Sequence, residues 1–177
     1  MTKEGCMRNL PILAAAAALA SCATVEPTGG VPMPLINSAG QTIGTVRAWR
    51  TDGSVSFHIS ATGLPHGLHG IHIHSVGRCD PPNFASAGPH WNPEGMKHGM
   101  NNLAGPHHGD LPNVEVAANG ALEATVTSPV TTIAQLLDAD GSAIVIHALQ
   151  DDYETDPDGK SGARIACAVI LPGAEVR

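Results

Sequence analysis

The chain has 177 residues, which predicts one domain that is large enough to bury a core. Aromatic residues make up only 3%, so that core must consist mainly of aliphatic side chains. Nine basic residues stand against 16 acidic ones, and the formal net charge is −7. A nucleic-acid-binding surface needs clustered Lys and Arg, so this balance argues against one.

The N-terminus is typical of an export signal. Lys3 and Arg8 precede an apolar run over residues 10–20, which is too short to cross a bilayer. The run ends in Leu-Ala-Ser-Cys, which resembles the bacterial lipoprotein signal, and the alternative is an ordinary signal peptide with a chance cysteine. We expect residues 1–21 to be a signal peptide of the lipoprotein type, Cys22 to carry lipid, and residues 22–30 to form a flexible tether.

The remaining cysteines predict a disulfide. Cys6 leaves with the signal peptide and Cys22 takes the lipid, which leaves Cys79 and Cys167 in an exported protein. Such a pair indicates a disulfide bond. In the chain-entropy model, closing a loop of this length stabilises the fold by about 4–5 kcal/mol. We therefore expect a periplasmic protein that is tethered to a membrane.

The rest of the chain predicts strands. In residues 54–63 the apolar side chains alternate with polar ones, which is the period of a half-buried strand. Asp52-Gly53 and Asn119-Gly120 indicate two hairpins. About eight strands are predicted in all, at residues 34–37, 42–50, 54–63, 71–75, 113–118, 121–128, 142–149 and 163–171. Two long insertions, residues 76–112 and 150–162, are typical of functional loops. The fold class is therefore an all-β antiparallel barrel or sandwich with two large loops.

Histidines predict a metal site. Seven of the ten lie in residues 69–110. His72 and His74 end a predicted strand and point to the same face, about 6.5–7 Å apart, and His147 ends another. The loop adds further candidate ligands, namely His90, His98, His107, His108 and Asp110. A nitrogen-rich set with one carboxylate favours zinc or copper over calcium or magnesium.

These residues resemble a known family. The motifs GLHGIHIH, SAGPHWNP, KHG, HHGD, IVIHALQDD and GARIACAVI occur in the order found in copper/zinc superoxide dismutases, over about residues 35–171. The early loop cysteine in HSVGRCDPP is similar to that of bacterial members. The resemblance implies an eight-stranded antiparallel Greek-key β-barrel or sandwich over residues 31–177. It also implies disproportionation of the superoxide anion to oxygen and hydrogen peroxide by Cu(II)/Cu(I) cycling.

The resemblance also assigns residues. The implied copper ligands are His72, His74, His90 and His147. The implied zinc ligands are His90, His98, His107 and Asp110, so that His90 bridges both metals and is expected to exchange a proton when copper is reduced. Asp151 would link His72 to His98, Cys79 and Cys167 would form the intrasubunit disulfide, and Arg164 would lie beside the copper. His107 is preferred over His108 by alignment through GDLPN.

The other histidines have simpler interpretations. His69 is expected to be a hydrogen-bonded non-ligand, His66 to be exposed in a turn, and His58 to be solvated on the polar face of its strand. Because the surface and the substrate are both negative, attraction must be local, with Arg164 and Lys160 as the candidate groups.

Two other functions are alternatives to an active enzyme. One is a non-catalytic copper- and zinc-binding module on the same fold, and the other is a purely structural lipoprotein domain. The complete ligand set and Arg164 argue against both. A homodimer and a monomer both remain open.

Overall fold

A computed structural model describes residues 30–51, 53–128 and 133–171. The predicted signal peptide, Cys22 and all but the last residue of the predicted tether lie outside these residues. Within them, no helix combines the length and the apolar character needed to cross a membrane.

The described residues form nine strands and almost no helix. The strands are β1 (Met33–Asn37), β2 (Thr42–Thr51), β3 (Ser54–Ala61), β4 (Gly67–His69), β5 (Ile71–His74), β6 (Val114–Val116), β7 (Leu122–Ser128), β8 (Ser142–His147) and β9 (Arg164–Ile170). Helical structure is limited to a 3₁₀ turn at Ala85–Ala87 and one α-helical turn, α1 (Ile133–Leu136). Each of the eight predicted strands has a counterpart, and the additional strand, β4, is only three residues long.

The strands form a curled antiparallel sheet. Seven of them are ordered β5-β8-β9-β1-β2-β3-β7, and β4 pairs with β6 in a second small sheet. All described pairs are antiparallel. The edge strands of the large sheet are β5 and β7. The chain connects β4 to β5 through Gly70 and β6 to β7 through a turn, so the small sheet is linked to both edges. The all-β prediction is therefore confirmed.

The two predicted hairpins have different outcomes. Thr51 pairs with Ser54, so β2 and β3 form a hairpin as predicted, although Asp52 itself lies outside the described residues. At the second site the turn is present, since Gly120 N–H donates to the carbonyl of Ala117 at 2.9 Å. However, β6 pairs with β4 and β7 pairs with β3. This second prediction of a paired hairpin is wrong beyond the turn, because the two strands separate there into different sheets.

The alternation predicted for β3 is confirmed. Val55, Phe57 and Ile59 are fully buried in the main core. Ser56 on the opposite face is also buried, and its hydroxyl lies 2.8 Å from that of Thr127. This pairing satisfies a polar group that burial would otherwise leave without a partner.

Strands β5 and β8 are buried on both faces. Ile71 and Ile73 of β5 and Ile144 and Ile146 of β8 face the main core, while the alternate residues of β8 face a second cluster. That second cluster contains Phe84, Ala87, Ala143, Val145 and Cys167. Cys79 and Cys167 are disulfide-bonded with their Cα atoms 5.8 Å apart, which confirms the predicted bond. The loop between β5 and β6 therefore covers the outer face of β5 and β8 and is covalently attached to β9.

The core generates a stability prediction. Phe57 is among the largest fully buried side chains, so Phe57→Ala should lower the free energy of unfolding by about 3–5 kcal/mol. Urea unfolding of the metal-free, disulfide-bonded protein measures it. The control is Thr62→Ala at an exposed position, with an expected change within about 0.5 kcal/mol. A loss below about 1 kcal/mol for Phe57→Ala would contradict the described core.

Candidate metal centre

The sheet register places three histidines on one face. His72 and His74 alternate with the core residues Ile71 and Ile73, so their side chains leave the opposite side of β5. His147 ends β8 on the strand that pairs with β5, and its backbone N–H donates to the carbonyl of Gly70 at 2.8 Å. All three side chains are at most 3% exposed.

The loop between β5 and β6 adds the next ligand candidates by pairing with the other edge of β5. Isolated antiparallel bridges pair His72 with Asp110 and His74 with His90. Residues directly opposite each other in such a bridge project to the same side. The bridges therefore carry His90 and Asp110 to the face that already holds His72 and His74.

Gly109 permits this docking. Its N–H donates to the carbonyl of Trp91 at 2.9 Å, and its carbonyl accepts from the N–H of Ile73 at 2.8 Å. A Cβ atom at Gly109 would collide with the carbonyl oxygen of Ile73 and lie 3.0 Å from the backbone nitrogen of Trp91. Only glycine lets the loop approach β5 this closely.

One set of four imidazoles converges within this face. The set is His72, His74, His90 and His147, each offering a ring nitrogen, and these atoms all lie within 4.8 Å of one another. His74 and His147 each donate through Nδ1 to a backbone carbonyl, at 2.8 and 3.2 Å. In neutral rings their Nε2 atoms therefore carry lone pairs, and these atoms face each other at 3.4 Å. A cation between them would relieve this repulsion, so the geometry fits a metal.

The first set also contains buried nitrogens without partners. The Nδ1 of His72 and the Nε2 of His90 are buried and form no hydrogen bond. Buried polar atoms normally have partners, so each such atom calls for an explanation. A metal bound by the four imidazoles provides one.

A second set converges on the carboxylate of Asp110. Its Oδ1 lies 3.1 Å from Nδ1 of His90, 3.0 Å from Nδ1 of His98 and 3.3 Å from Nδ1 of His107. Its Oδ2 accepts from the backbone N–H groups of Gly99 and His107. His107 precedes Asp110 by three residues, and the hydrogen bond from its backbone N–H orients the Asp110 carboxylate. His90 thus has one ring nitrogen near each set.

Mutual distances alone select a slightly different second set, with His72 in place of His107. We assign His72 to the first set because its Nε2 is already bonded to Asp151. The Nδ1 of His107 is buried, has no hydrogen-bond partner and lies beside Asp110. We therefore place His107 in the second set, and which metal each set holds stays a prediction.

Asp151 connects the two sets. Its Oδ2 accepts from Nε2 of His72 at 2.7 Å, and its Oδ1 accepts from Nε2 of His98 at 3.0 Å. A carboxylate in this position fixes ring orientation and directs the other nitrogen of each ring towards a metal. Gly159 packs against this link, where a Cβ atom would collide with the carboxylate of Asp151.

Asn113 was not singled out by sequence reasoning. Its side chain accepts from the backbone N–H of Asp151 at 2.8 Å and donates to the carbonyl of the same residue at 2.9 Å. Its own N–H donates to the hydroxyl of Tyr153. Asn113 therefore positions Asp151. Its place in the GDLPN segment, three residues after Asp110, is the one signal in the sequence that points to it.

Burial keeps the first set neutral. Desolvation lowers the pKa of His72 to about 3 and that of His147 to about 4, and it also lowers those of His74 and His90. Repulsion between neighbouring imidazoles acts in the same direction. A neutral imidazole retains the lone pair that binds a metal.

The carboxylates remain ionised. Burial favours protonation of Asp110 and Asp151, but hydrogen bonds from the surrounding histidines outweigh it and hold the pKa of each well below its usual value. For His98, burial lowers the pKa, yet the hydrogen bonds and charges of these two carboxylates outweigh it and raise the pKa to about 9. At neutral pH and without a metal, His98 therefore carries a positive charge that offsets Asp110, and a divalent cation bound by the second set would displace this proton.

Arg164 is fixed beside the first set. Its guanidinium donates to the carbonyls of Phe84 and Gly88, both at 2.7 Å. Gly88 also accepts from Nδ1 of His74, so one carbonyl orients the arginine and a ligand candidate. Lys160 instead lies 3.4 Å from Asp152 and is 73% exposed, and a role for it in attracting an anion stays a prediction.

The remaining histidines are hydrogen-bonded or surface residues. His69 is buried between the carbonyls of His147 and Pro65, and His66 is exposed, both as expected. The expectation for His58 is wrong, because its side chain is only 11% exposed, with Nε2 2.6 Å from Glu123. His108 packs against the ring of Trp91 and lies outside both sets.

Two cavities adjoin the cluster. We call the first the acidic groove; it has a volume of about 610 Å³, and its lining includes His90, His107, Asp138, Asp140 and Asp156. We call the second the arginine cavity; it has a volume of about 660 Å³ and includes Gly88, Gly162 and Arg164.

Comparison with known proteins agrees with this geometry. Residues 42–170 match the sequence model of the family described as copper/zinc superoxide dismutase (SODC). The chain is 42% identical over 142 residues to superoxide dismutase [Cu-Zn] 2 of Aquifex aeolicus, which covers 77% of this chain and 83% of that one. It is 33% identical over 171 residues to extracellular superoxide dismutase [Cu-Zn] of Drosophila melanogaster, which covers 86% and 94%.

The fold is also that of a solved structure. A crystal structure of a SOD-like protein from Bacillus subtilis matches with a TM-score of 0.77 and 41% identity, covering 81% of this chain and 99% of that one. The family match extends over most of the chain and includes both sets of ligand candidates. The chain therefore belongs to the copper/zinc superoxide dismutase family, and its histidine-rich cluster supports copper and zinc as its cofactors.

Proposed function

We propose that the protein is a superoxide dismutase that converts superoxide to oxygen and hydrogen peroxide. The observation that carries this proposal is the sharing of one imidazole, that of His90, between two sets of metal donors beside a fixed arginine. In the proposed assignment, copper is held by His72, His74, His90 and His147. Zinc is held by His90, His98, His107 and Asp110.

The donor atoms support this division. The first set consists of nitrogen donors only, which suits copper, while the second adds one carboxylate and reaches the four ligands usual for zinc. When bound, copper supplies the one-electron oxidation and reduction of superoxide, and zinc supplies a fixed charge without redox chemistry.

His90 is proposed to move the proton. Its Nδ1 lies in the second set beside Asp110, and its Nε2 is buried in the first set without a hydrogen-bond partner. The Nε2 can therefore hold a proton during one half of the reaction and donate it to the product in the other. The stacked ring of His72, 3.9 Å away between centroids, restricts the movement of this imidazole.

Arg164 is proposed to capture the anion. Two backbone carbonyls fix its guanidinium at the wall of the arginine cavity. Although burial lowers the pKa of Arg164, a guanidinium stays charged at any physiological pH. It would dock superoxide beside the copper set and orient it for electron transfer.

Export supports this function. A relative of this chain is named as an extracellular enzyme, and the Cys79–Cys167 disulfide fits an oxidising compartment. We propose that residues 1–21 are removed, that Cys22 is lipidated, and that residues 22–30 tether the domain of residues 31–177 to a membrane in the periplasm. Homodimer formation stays a prediction.

One observation favours a second candidate function. The Bacillus subtilis protein of similar fold is described as SOD-like, which leaves room for a metal-binding module without activity on the same fold. The two functions differ in a simple measurement. A non-catalytic module would bind copper and zinc but would not accelerate the consumption of superoxide.

The first prediction concerns His147. The reconstituted protein should consume superoxide rapidly, and His147→Ala should abolish this activity while zinc stays bound, because His147 belongs to the copper set alone. Superoxide consumption and metal content are measured on both proteins. The control is His66→Ala, since His66 is exposed and lies outside both sets. Equal loss of both metals would show that the ligands are divided wrongly, and an inactive but metal-loaded wild type would favour the non-catalytic module.

The second prediction concerns Arg164. Arg164→Ala should lower the second-order rate constant about tenfold or more with both metals retained, since local steering of an anion is worth that much. The rate constant of Arg164→Lys should be intermediate, because lysine keeps the positive charge but lacks the planar pair of N–H donors of a guanidinium. The wild-type rate should fall as salt rises, and that of the alanine variant should fall less. Equal salt dependence would place the attraction elsewhere.

The third prediction concerns Cys22. Cys22→Ser should release the protein from membranes without changing the activity of the domain, because the lipid is attached only through this thiol. Fractionation of cells into membrane and soluble material measures the effect. Continued membrane association of the serine variant, after export and removal of the signal peptide, would contradict lipid anchoring.

A further inference from the structure

Two cavities of opposite charge lie near the metal cluster: the acidic groove reaches His90 and His107 themselves, and the arginine cavity reaches Gly88 and Gly162, whose carbonyls accept hydrogen bonds from His74 and His147. Among the lining residues that the structure describes, Arg164 is the one charged group of the arginine cavity. The acidic groove has Asp138, Asp140 and Asp156 and no lining Lys or Arg in the same part of the chain. An anion and a cation would therefore be attracted to different sides of the same cluster.

Two of the three acids in the groove have no cationic partner among the described residues. Asp156 lies 2.8 Å from the ammonium of Lys97, so its charge is largely compensated. Asp138 and Asp140 are exposed and form no ion pair within the described residues. The Oδ1 of Asp138 accepts from the backbone N–H groups of Asp140 and Gly141, which holds its carboxylate in place.

The imidazole of His107 lies between the groove and the carboxylate of Asp110. It is 5% exposed, and its Nδ1 is buried, has no hydrogen-bond partner and lies 3.3 Å from Asp110. Its Nε2 is directed to the other side, 3.8 Å from Asp156. His90, which is 7% exposed, lines the same groove, and its Nδ1 lies 3.1 Å from Asp110 in the second set. The groove therefore reaches two members of the second set, one of which, His107, has a buried donor atom without a partner.

We propose that the acidic groove is the route by which zinc is captured and passed to its ligands. The proposal rests on the zinc set of the proposed function. Within a groove of this size, the charges of Asp138 and Asp140 lie within about one Debye length, 8–10 Å, of an ion inside it. They would concentrate a divalent cation at His107 and repel superoxide, which would be left to the side of Arg164.

The test is the rate of zinc uptake. The full chain, with its disulfide intact and its metals removed, is mixed with Zn²⁺ in the presence of a fluorescent zinc indicator at several salt concentrations. Asp138→Asn with Asp140→Asn should lower the association rate constant at low salt about threefold or more, and should weaken its dependence on salt. The final zinc content should stay the same, because no proposed ligand is changed.

A matched control removes two charges elsewhere. Glu115→Gln with Glu123→Gln changes the net charge by the same amount on a different cavity, between β6 and β7. This pair should slow zinc uptake much less. Equal slowing by both pairs would mean that overall charge is responsible, and no slowing by the groove pair would mean that the groove is not the route. Either result overturns the proposal.

A single charge reversal guards against a folding defect. Asp140→Lys changes the charge by the same two units as the double neutralisation, leaves the hydrogen bonds that the carboxylate of Asp138 accepts from backbone N–H groups, and should slow uptake to a similar extent. An unchanged rate in this variant would also overturn the proposal. Failure of the underlying zinc assignment gives a different result, because His107→Ala would then bind zinc as tightly as the wild type.

Discussion

The metal centre depends on the pairing of a long loop with the free edge of β5. The bridges from His72 to Asp110 and from His74 to His90 are backbone contacts, yet they decide which side chains share a face. A shift of one residue would turn the loop ligands away from the cluster. Gly109 permits the close approach, and the Cys79–Cys167 disulfide and Arg164 attach the loop at further points.

Two carboxylates then give the cluster its electrostatic character. Asp110 faces three imidazoles, and Asp151 joins His72 to His98. Burial alone would favour their protonated forms, but the surrounding hydrogen bonds keep them ionised. The same burial keeps the histidines of the first set neutral. The site is therefore arranged to receive cations, and Arg164, held by the carbonyls of Phe84 and Gly88, carries the positive charge that we propose for the capture of an anion.

Much of this arrangement was predictable from the sequence. Alternation identified β3, and the spacing of His72 and His74 placed both on one face of a strand, since the strand period is two. The count of cysteines in an exported chain already paired Cys79 with Cys167, and the resemblance supplied other distant partners, such as Asp151 and Arg164, which local patterns cannot place. The second hairpin failed because a turn motif fixes the local backbone and does not determine which sheet each strand joins. Asn113 and the carbonyl of Gly88 were missed because their contacts involve backbone groups far away in the chain.

The most direct test of this account is the metal content of the mature protein after reconstitution with copper and zinc together. Two sets of donors that share His90 predict one copper and one zinc per chain, measured by elemental analysis. Zinc alone, or iron in place of copper, would contradict the assignment of the four imidazoles to copper and with it the proposed chemistry.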